Sequence, residues 1–155
     1  MALSHTQQAF SKYTAMIKSF TSIEQGSDLV NAGLDPRTAD MWYSEKDGIQ
    51  MGFAGLRKPA WSMARLIALL PETIIVNPNS RLRKRFNLEI TKLEPWRYAV
   101  GYYCGFYPNQ ETVKEFDCMD SPLDALVDLL AWVMLEGYED KQIQREIAED
   151  EQYGV

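Results

Sequence analysis

The stretch Trp96-Arg97-Tyr98-Ala99-Val100-Gly101-Tyr102-Tyr103-Cys104 decides the fold class. Trp96, Tyr98, Val100, Tyr102 and Cys104 share one face of an extended chain, with Arg97, Ala99 and Gly101 opposite, which is the two-residue period of a strand. On one side of it, Phe86, Leu88 and Ile90 alternate in the same way. On the other, Val113 to Met119 reads as a third strand, with Phe116 and Cys118 as core candidates. Glu94-Pro95 and the segment from Gly105 to Asn109 supply the turns. The expectation is a three-stranded antiparallel meander with one apolar and one mixed face.

Helices flank it. Ser121-Pro122-Leu123-Asp124 combines a cap, a first-turn proline and an early acid, and opens a helix that runs to Glu136 and stops at Gly137. Its apolar residues, among them Leu126, Leu130 and Trp132, almost encircle it, so it should be covered on most sides with Trp132 buried. Trp61 to Leu70 reads as a shorter helix capped by Ser62 and ended by Pro71.

Farther out, Ser4 and Gln7 form a capping-box pattern ahead of an amphipathic helix over residues 5–20. A second helix should run from Ile23 to Ala32, followed by Gly33 and a single turn from Asp35-Pro36. Met41-Trp42-Tyr43 and Ile49-Gln50-Met51 flank the Lys46-Asp47-Gly48 turn as a short hairpin, and Gly52, Gly55 and Pro59 mark a loop. The reading is a single α+β domain over 1–138: N-terminal helices and a short hairpin, then a helix–three-stranded meander–helix core over 61–137. An acidic tail follows over 139–155.

Composition bounds the function. Apolar residues make up 46% and charged residues 25% of the 155, which is enough to bury a core and argues against a disordered chain. No stretch is apolar over the roughly 20 residues a membrane-spanning helix needs, and the N-terminus lacks a leader pattern, so the expected location is cytoplasmic. The net charge is −6; seven acids between Glu136 and Glu151 against Lys141 and Arg145 hold −5 of it and leave −1 for the rest. Cys104 and Cys118 should sit at opposite ends of neighbouring strands, beyond disulfide reach.

No residue pattern points to a catalytic, metal or cofactor site. His5 is the single histidine, and it lacks a neighbouring thiol or carboxylate. Capping and solvation account for Asp117, Asp120, Asp124 and Asp128. Two candidate contact sites remain. The basic run Arg81, Arg83, Lys84 and Arg85, with Arg57 and Lys58 placed near it, could hold phosphate. Tyr102, Tyr103, Phe106 and Tyr107 could form an aromatic binding rim at one end of the sheet. The helix–three-strand–helix order is also that of double-stranded RNA-binding domains, which place basic residues where this chain has Asp120-Ser121-Pro122-Leu123-Asp124.

Three word-like segments carry a family likeness: Gly33-Leu34-Asp35 with Thr38-Ala39-Asp40-Met41, Pro59-Ala60-Trp61-Ser62 with Leu69-Leu70-Pro71, and Ser121-Pro122-Leu123-Asp124-Ala125 with Trp132 and Leu135-Glu136-Gly137-Tyr138. Over Ser27 to Tyr138 the chain resembles small proteins encoded by phages, prophages and mobile elements of gut-dwelling bacteria. That resemblance implies a setting and assigns no activity to any residue. The expected function is therefore a non-enzymatic interaction protein that engages a protein partner or a second copy of itself. The alternatives are a nucleic-acid module built on the 81–85 run, and an enzyme of unrecognised type.

Overall fold

The computed structural model describes residues 18–77, 81, 83–106 and 108–138. The sequence-predicted helix over 5–17, His5, Tyr107 and the tail 139–155 lie outside them. The described elements, in chain order, are helix α1 (Ile23–Asn31), a 3-10 turn (Pro36–Thr38), strands β1 (Met41–Ser44), β2 (Gly48–Met51) and β3 (Lys58–Ala60), and helix α2 (Met63–Leu69). Strands β4 (Thr73–Val76), β5 (Lys84–Glu94), β6 (Arg97–Cys104) and β7 (Glu111–Met119) follow, and helix α3 (Leu123–Glu136) closes the order.

Two antiparallel sheets result, one of three strands in the order β2-β1-β3 and one of four in the order β4-β5-β6-β7. The α+β class therefore stands, and the arrangement is corrected in three places. The meander gains an edge strand, because Thr73–Val76 pairs with Lys84–Asn87 in a register no local pattern announces. The expected hairpin gains a third strand, Lys58–Ala60, hidden by its proline; Pro59 is tolerated there because β3 is an edge. The first helix does not reach residue 20: Phe20 bridges Ser62 in extended backbone.

That extended segment, residues 18–22, ties the molecule together. Thr21 N–H donates to the Trp61 carbonyl and Trp61 N–H donates to Thr21 Oγ1, both at 3.0 Å. Thr21 is the sole fully buried polar side chain among the described residues, and this bond satisfies it. Met63 N–H reaches back to the Ser19 carbonyl, and Ser121 Oγ donates to the Lys18 carbonyl, so the same segment also touches the start of α3. Ser22 and Gln25 complete a capping box that starts α1.

Trp61 is wholly buried and its indole N–H donates to Thr38 Oγ1 at 3.1 Å. Ser62 plays two parts. Its N–H and Oγ donate to the two carboxylate oxygens of Asp40, while Oγ accepts from Arg65 N–H as the cap of α2. Arg65 in turn donates from Nε to the Thr38 carbonyl. The core reaches well outside the expected 61–137 region, since Leu29, Leu34, Ala39 and Ala54 join Trp61, Leu66, Phe86, Val100, Tyr102 and the inner faces of α3. Helix α3 packs on α1, α2, β6 and β7, as its all-round apolar surface demands. Trp132 is only half-buried and lies against the Tyr138 ring at 5.1 Å, which corrects the expectation of full burial. The helix starts one residue later than expected, with Pro122 at the cap position in place of Ser121, whose Oγ accepts from Leu123 N–H.

Cys104 and Cys118 are unpaired and half-buried, at opposite ends of the β6–β7 ladder. Among the described residues no helix is long and apolar enough to cross a membrane.

Gly26 shows how tightly α1 is seated. A Cβ there would stand 2.6 Å from the Pro59 carbonyl oxygen and 3.6 Å from the Trp61 ring. Gly26→Ala should therefore lower unfolding free energy by about 1–3 kcal/mol through overpacking, whereas Ser27→Ala, one exposed position on, should change it by less than about 0.5 kcal/mol. Urea unfolding followed by tryptophan fluorescence measures both. Equal effects would mean that α1 is not packed on β3.

Candidate functional site

Among the described residues, the fold places the members of the two expected sites on different faces. In the basic run, Lys84 lies on the same face of β5 as the buried Phe86, while Arg85 projects to the opposite face. Arg81 and Arg83 precede the strand. Lys84 is already engaged: its Nζ donates to both carboxylate oxygens of Glu111 at 2.7 Å, and that bond raises its pKa. Lys58 begins β3 of the three-stranded sheet and Arg57 ends the loop before it, whereas the run leads into β5 of the other sheet.

The aromatic rim fails for a similar reason. Tyr102 and Tyr103 are consecutive strand residues and point to opposite faces. Tyr102 is buried with its hydroxyl on the Pro71 carbonyl, and Tyr103 is buried with its hydroxyl on Glu115 at 2.5 Å. Burial first, and then the Glu115 carboxylate, pushes the Tyr103 phenol far above its ordinary value, so it stays protonated. Phe106, two residues past the end of β6, is exposed, whereas both tyrosines are buried.

The four aspartates are dispersed. Asp117 pairs with Arg97, and Asp124 accepts from Lys18 and Gln25 at 2.7 Å each. Burial works to raise the Asp124 pKa, and these two donors outweigh it, so its carboxyl is held below the ordinary value. Asp128, without such donors, is pushed up by burial and by Asp124 and Asp28. Among the described residues no group of His, Cys, Asp and Glu converges as metal ligands would.

What the structure does assemble is a cleft on the three-stranded sheet. Trp42, Tyr43, Ser44 and Glu45 of β1 and its turn form one wall, and Leu56, Arg57 and Lys58 form the other, around a volume of about 390 Å³. Each wall has a local cause. The β1–β2 hairpin turns where expected, with Ser44 Oγ accepting from the backbone N–H of Lys46 and Asp47. Tyr43 is fixed by its hydroxyl on the Thr21 carbonyl at 2.5 Å and by the edge of the Phe20 ring. Trp42 packs on the core from a half-buried position, and the Arg57 guanidinium lies 4.0 Å over its ring. Such stacked pairs are worth on the order of 0.5–1 kcal/mol at exposed sites.

The opposite wall is a loop pinned by one methyl group. Ala54 is fully buried, Gly52 N–H donates to the Asp40 carbonyl, and Arg57 N–H donates to the Ala54 carbonyl. Gly55 takes φ +60°, a left-handed conformation that costs glycine little and lets the chain reverse within the turn. With Ala54 turned in, its apolar neighbours are turned out: Met51 is 73% exposed, Phe53 63%, and Leu56 completely. Leu56 stands next to the stacked Arg57, and Met51 and Phe53 precede it along the same loop.

In the sequence, Gly52, Gly55 and Pro59 mark this segment only as a loop. The available signal was Gly52-Phe53-Ala54-Gly55-Leu56, two large apolar residues between glycines, where a solvent loop would carry polar ones.

No family model, curated protein or solved structure matches the chain.

With Lys84 neutralised and the run divided between the two faces of β5, oligonucleotides should not be retained. Fluorescence polarisation at 50 mM salt should show no complex with single-stranded or duplex probes at micromolar protein. A complex that weakens at least about tenfold by 200 mM salt, and is lost when Arg81, Arg83, Lys84 and Arg85 are replaced by Ser, would contradict this placement.

Proposed function

We propose that this protein is a non-enzymatic interaction protein that docks a protein partner on its three-stranded sheet, across the Trp42–Arg57 cleft. The observation that carries the reading is the exposure of Met51, Phe53 and Leu56 on a loop anchored from below by the buried Ala54. A side chain as large as Leu56 standing wholly in water gains from contact with a partner, because burying it removes apolar area at about 25 cal/mol per Å². Trp42 and Arg57 supply the residue types that anchor interfaces, already stacked and so losing little freedom on binding. Lys58 and Arg57 on the rim favour a partner segment that mixes apolar and acidic residues. The phage and mobile-element setting suggested by the resemblance belongs to the same proposal.

A photoreactive benzoylphenylalanine at position 56, expressed in the native host and irradiated, should yield a discrete adduct heavier than the chain alone. Placed instead at Thr91, on β5 of the other sheet, it should not. Leu56→Ser should leave the melting temperature within about 2 °C of the parent, as exposed substitutions do, and Phe53→Asp should remove the adduct. Adducts equally abundant from positions 56 and 91, or none from 56, would reject the docking role.

A further inference from the structure

The edge of a sheet presents a row of backbone N–H and C=O groups with which another strand can pair, and folds protect such edges with charge, proline or cover. The edge strands of the two sheets are β2, β3, β4 and β7. β3 carries Lys58 and Pro59, and the Pro59 carbonyl lies under Gly26 of α1. β7 carries Glu111, Lys114, Glu115 and Asp117, and the part of β5 that runs past β4 carries Glu89, Lys92 and Glu94. In the middle of β4, Ile74 and Ile75 are buried. β2 has none of these protections. Gly48-Ile49-Gln50-Met51 holds no charge and no proline, and none of the four residues is buried.

The register fixes which groups of β2 face outward. Gly52 N–H donates to the Asp40 carbonyl at 2.8 Å and continues the β1 ladder, so Gln50, two residues earlier, also turns its backbone to β1. Ile49 and Met51 turn theirs away from the sheet. Their side chains share the face of Met41 and Tyr43, and Met51 is largely exposed. Both ends of the strand are uncrowded: a Cβ at Gly48 or Gly52 would meet nothing within 4 Å.

We propose that β2 is a self-association edge, at which two copies of the chain pair β2 with β2, antiparallel, about a two-fold axis through Gln50. In this register the strand is complementary to itself. Ile49 of each copy stands opposite Met51 of the other, and these pairs exchange the outward N–H···O=C bonds. Gln50 meets Gln50 of the second copy across the axis, where two primary amides, each both donor and acceptor, bond one another reciprocally. Gln50 Nε2 gives one hydrogen to the Asp47 carbonyl at 3.1 Å, which leaves the second hydrogen and Oε1 for the partner amide. A two-fold axis normal to a sheet keeps each side chain on its own face, so it must pass through a residue position. On β7 every such register centred between Val113 and Asp117 sets like charges opposite each other. On β2 no register does. The pairing goes beyond the docking role and does not depend on it, because the cleft is lined by β1, its turn and residues 56–58, without β2.

Sedimentation velocity of the full chain, from a few micromolar to about 0.2 mM, reads the pairing, and the parent should pass from monomer to dimer with rising concentration. Gln50→Lys and Gln50→Glu each set like charges across the axis and should each weaken the dimer by about tenfold or more. Mixed in equal amounts, the two variants should recover a heterodimer, because opposite charges then meet. Thr91→Lys, on the other sheet, should leave the dimer unchanged. In the parent, without any substitution, the amides of Ile49 and Met51 should exchange with solvent several-fold more slowly as the dimer fills, while those of Glu115 and Asp117 hold constant. A parent that stays monomeric, a dimer that tolerates both Gln50 variants, folded variants that fail to recover on mixing, or Ile49 and Met51 exchange indifferent to concentration would each overturn the proposal.

Discussion

The reciprocal pair of hydrogen bonds between Thr21 and Trp61 is the constraint on which the rest of the structure depends. Trp61 is the largest side chain fully enclosed by the fold, and it stands where β3 ends and α2 begins. Its indole is anchored to Thr38, its ring touches the seat of Gly26 on α1, and the following Ser62 both caps α2 and holds Asp40 at the entry to β1. Removing Thr21 from this arrangement would strand a buried donor, at a cost of about 1–3 kcal/mol. One aromatic residue and its polar neighbours therefore join the three-stranded sheet to the helices that cover the four-stranded one. Because the cleft wall is β1, the position of Trp42 follows from the same anchor.

Local signals were enough where the chain states its own geometry. The alternation of Trp96 to Cys104, the cap at Ser62, the Asp47-Gly48 turn and the stop at Gly137 each involve residues only a few positions apart, and each is found in the structure. What was illegible was long-range pairing. Thr73–Val76 and Lys58–Ala60 are too short to show a period, and their partners lie across loops that carry no register. Consecutive Tyr102 and Tyr103 looked like a cluster in the sequence; a strand sends such neighbours to opposite faces, and the basic run at Lys84 and Arg85 divides for the same reason.

The word-like segments of the sequence acquire a physical meaning here. Thr38, Asp40, Trp61 and Ser62 are the members of the hydrogen-bond network around the buried indole. They are words of architecture. The surface that supports the functional reading lies between them in sequence, on the loop from Met51 to Lys58, where a rigid base and outward apolar side chains coincide. The buried Ala54 and the Gly52 N–H bond to the Asp40 carbonyl anchor that loop from below.

If the Thr21–Trp61 pairing joins both sheets into one cooperative unit, its amides must be released only when the whole molecule opens. Native-state hydrogen exchange, followed by NMR through a series of low denaturant concentrations, measures this residue by residue. The amides of Thr21 and Trp61 should exchange with the same free energy and denaturant dependence as those of Leu129 and Leu130 in the centre of α3. Exchange of Thr21 and Trp61 through a separate opening, at markedly lower free energy than α3, would contradict the account and leave the three-stranded sheet an independent appendage.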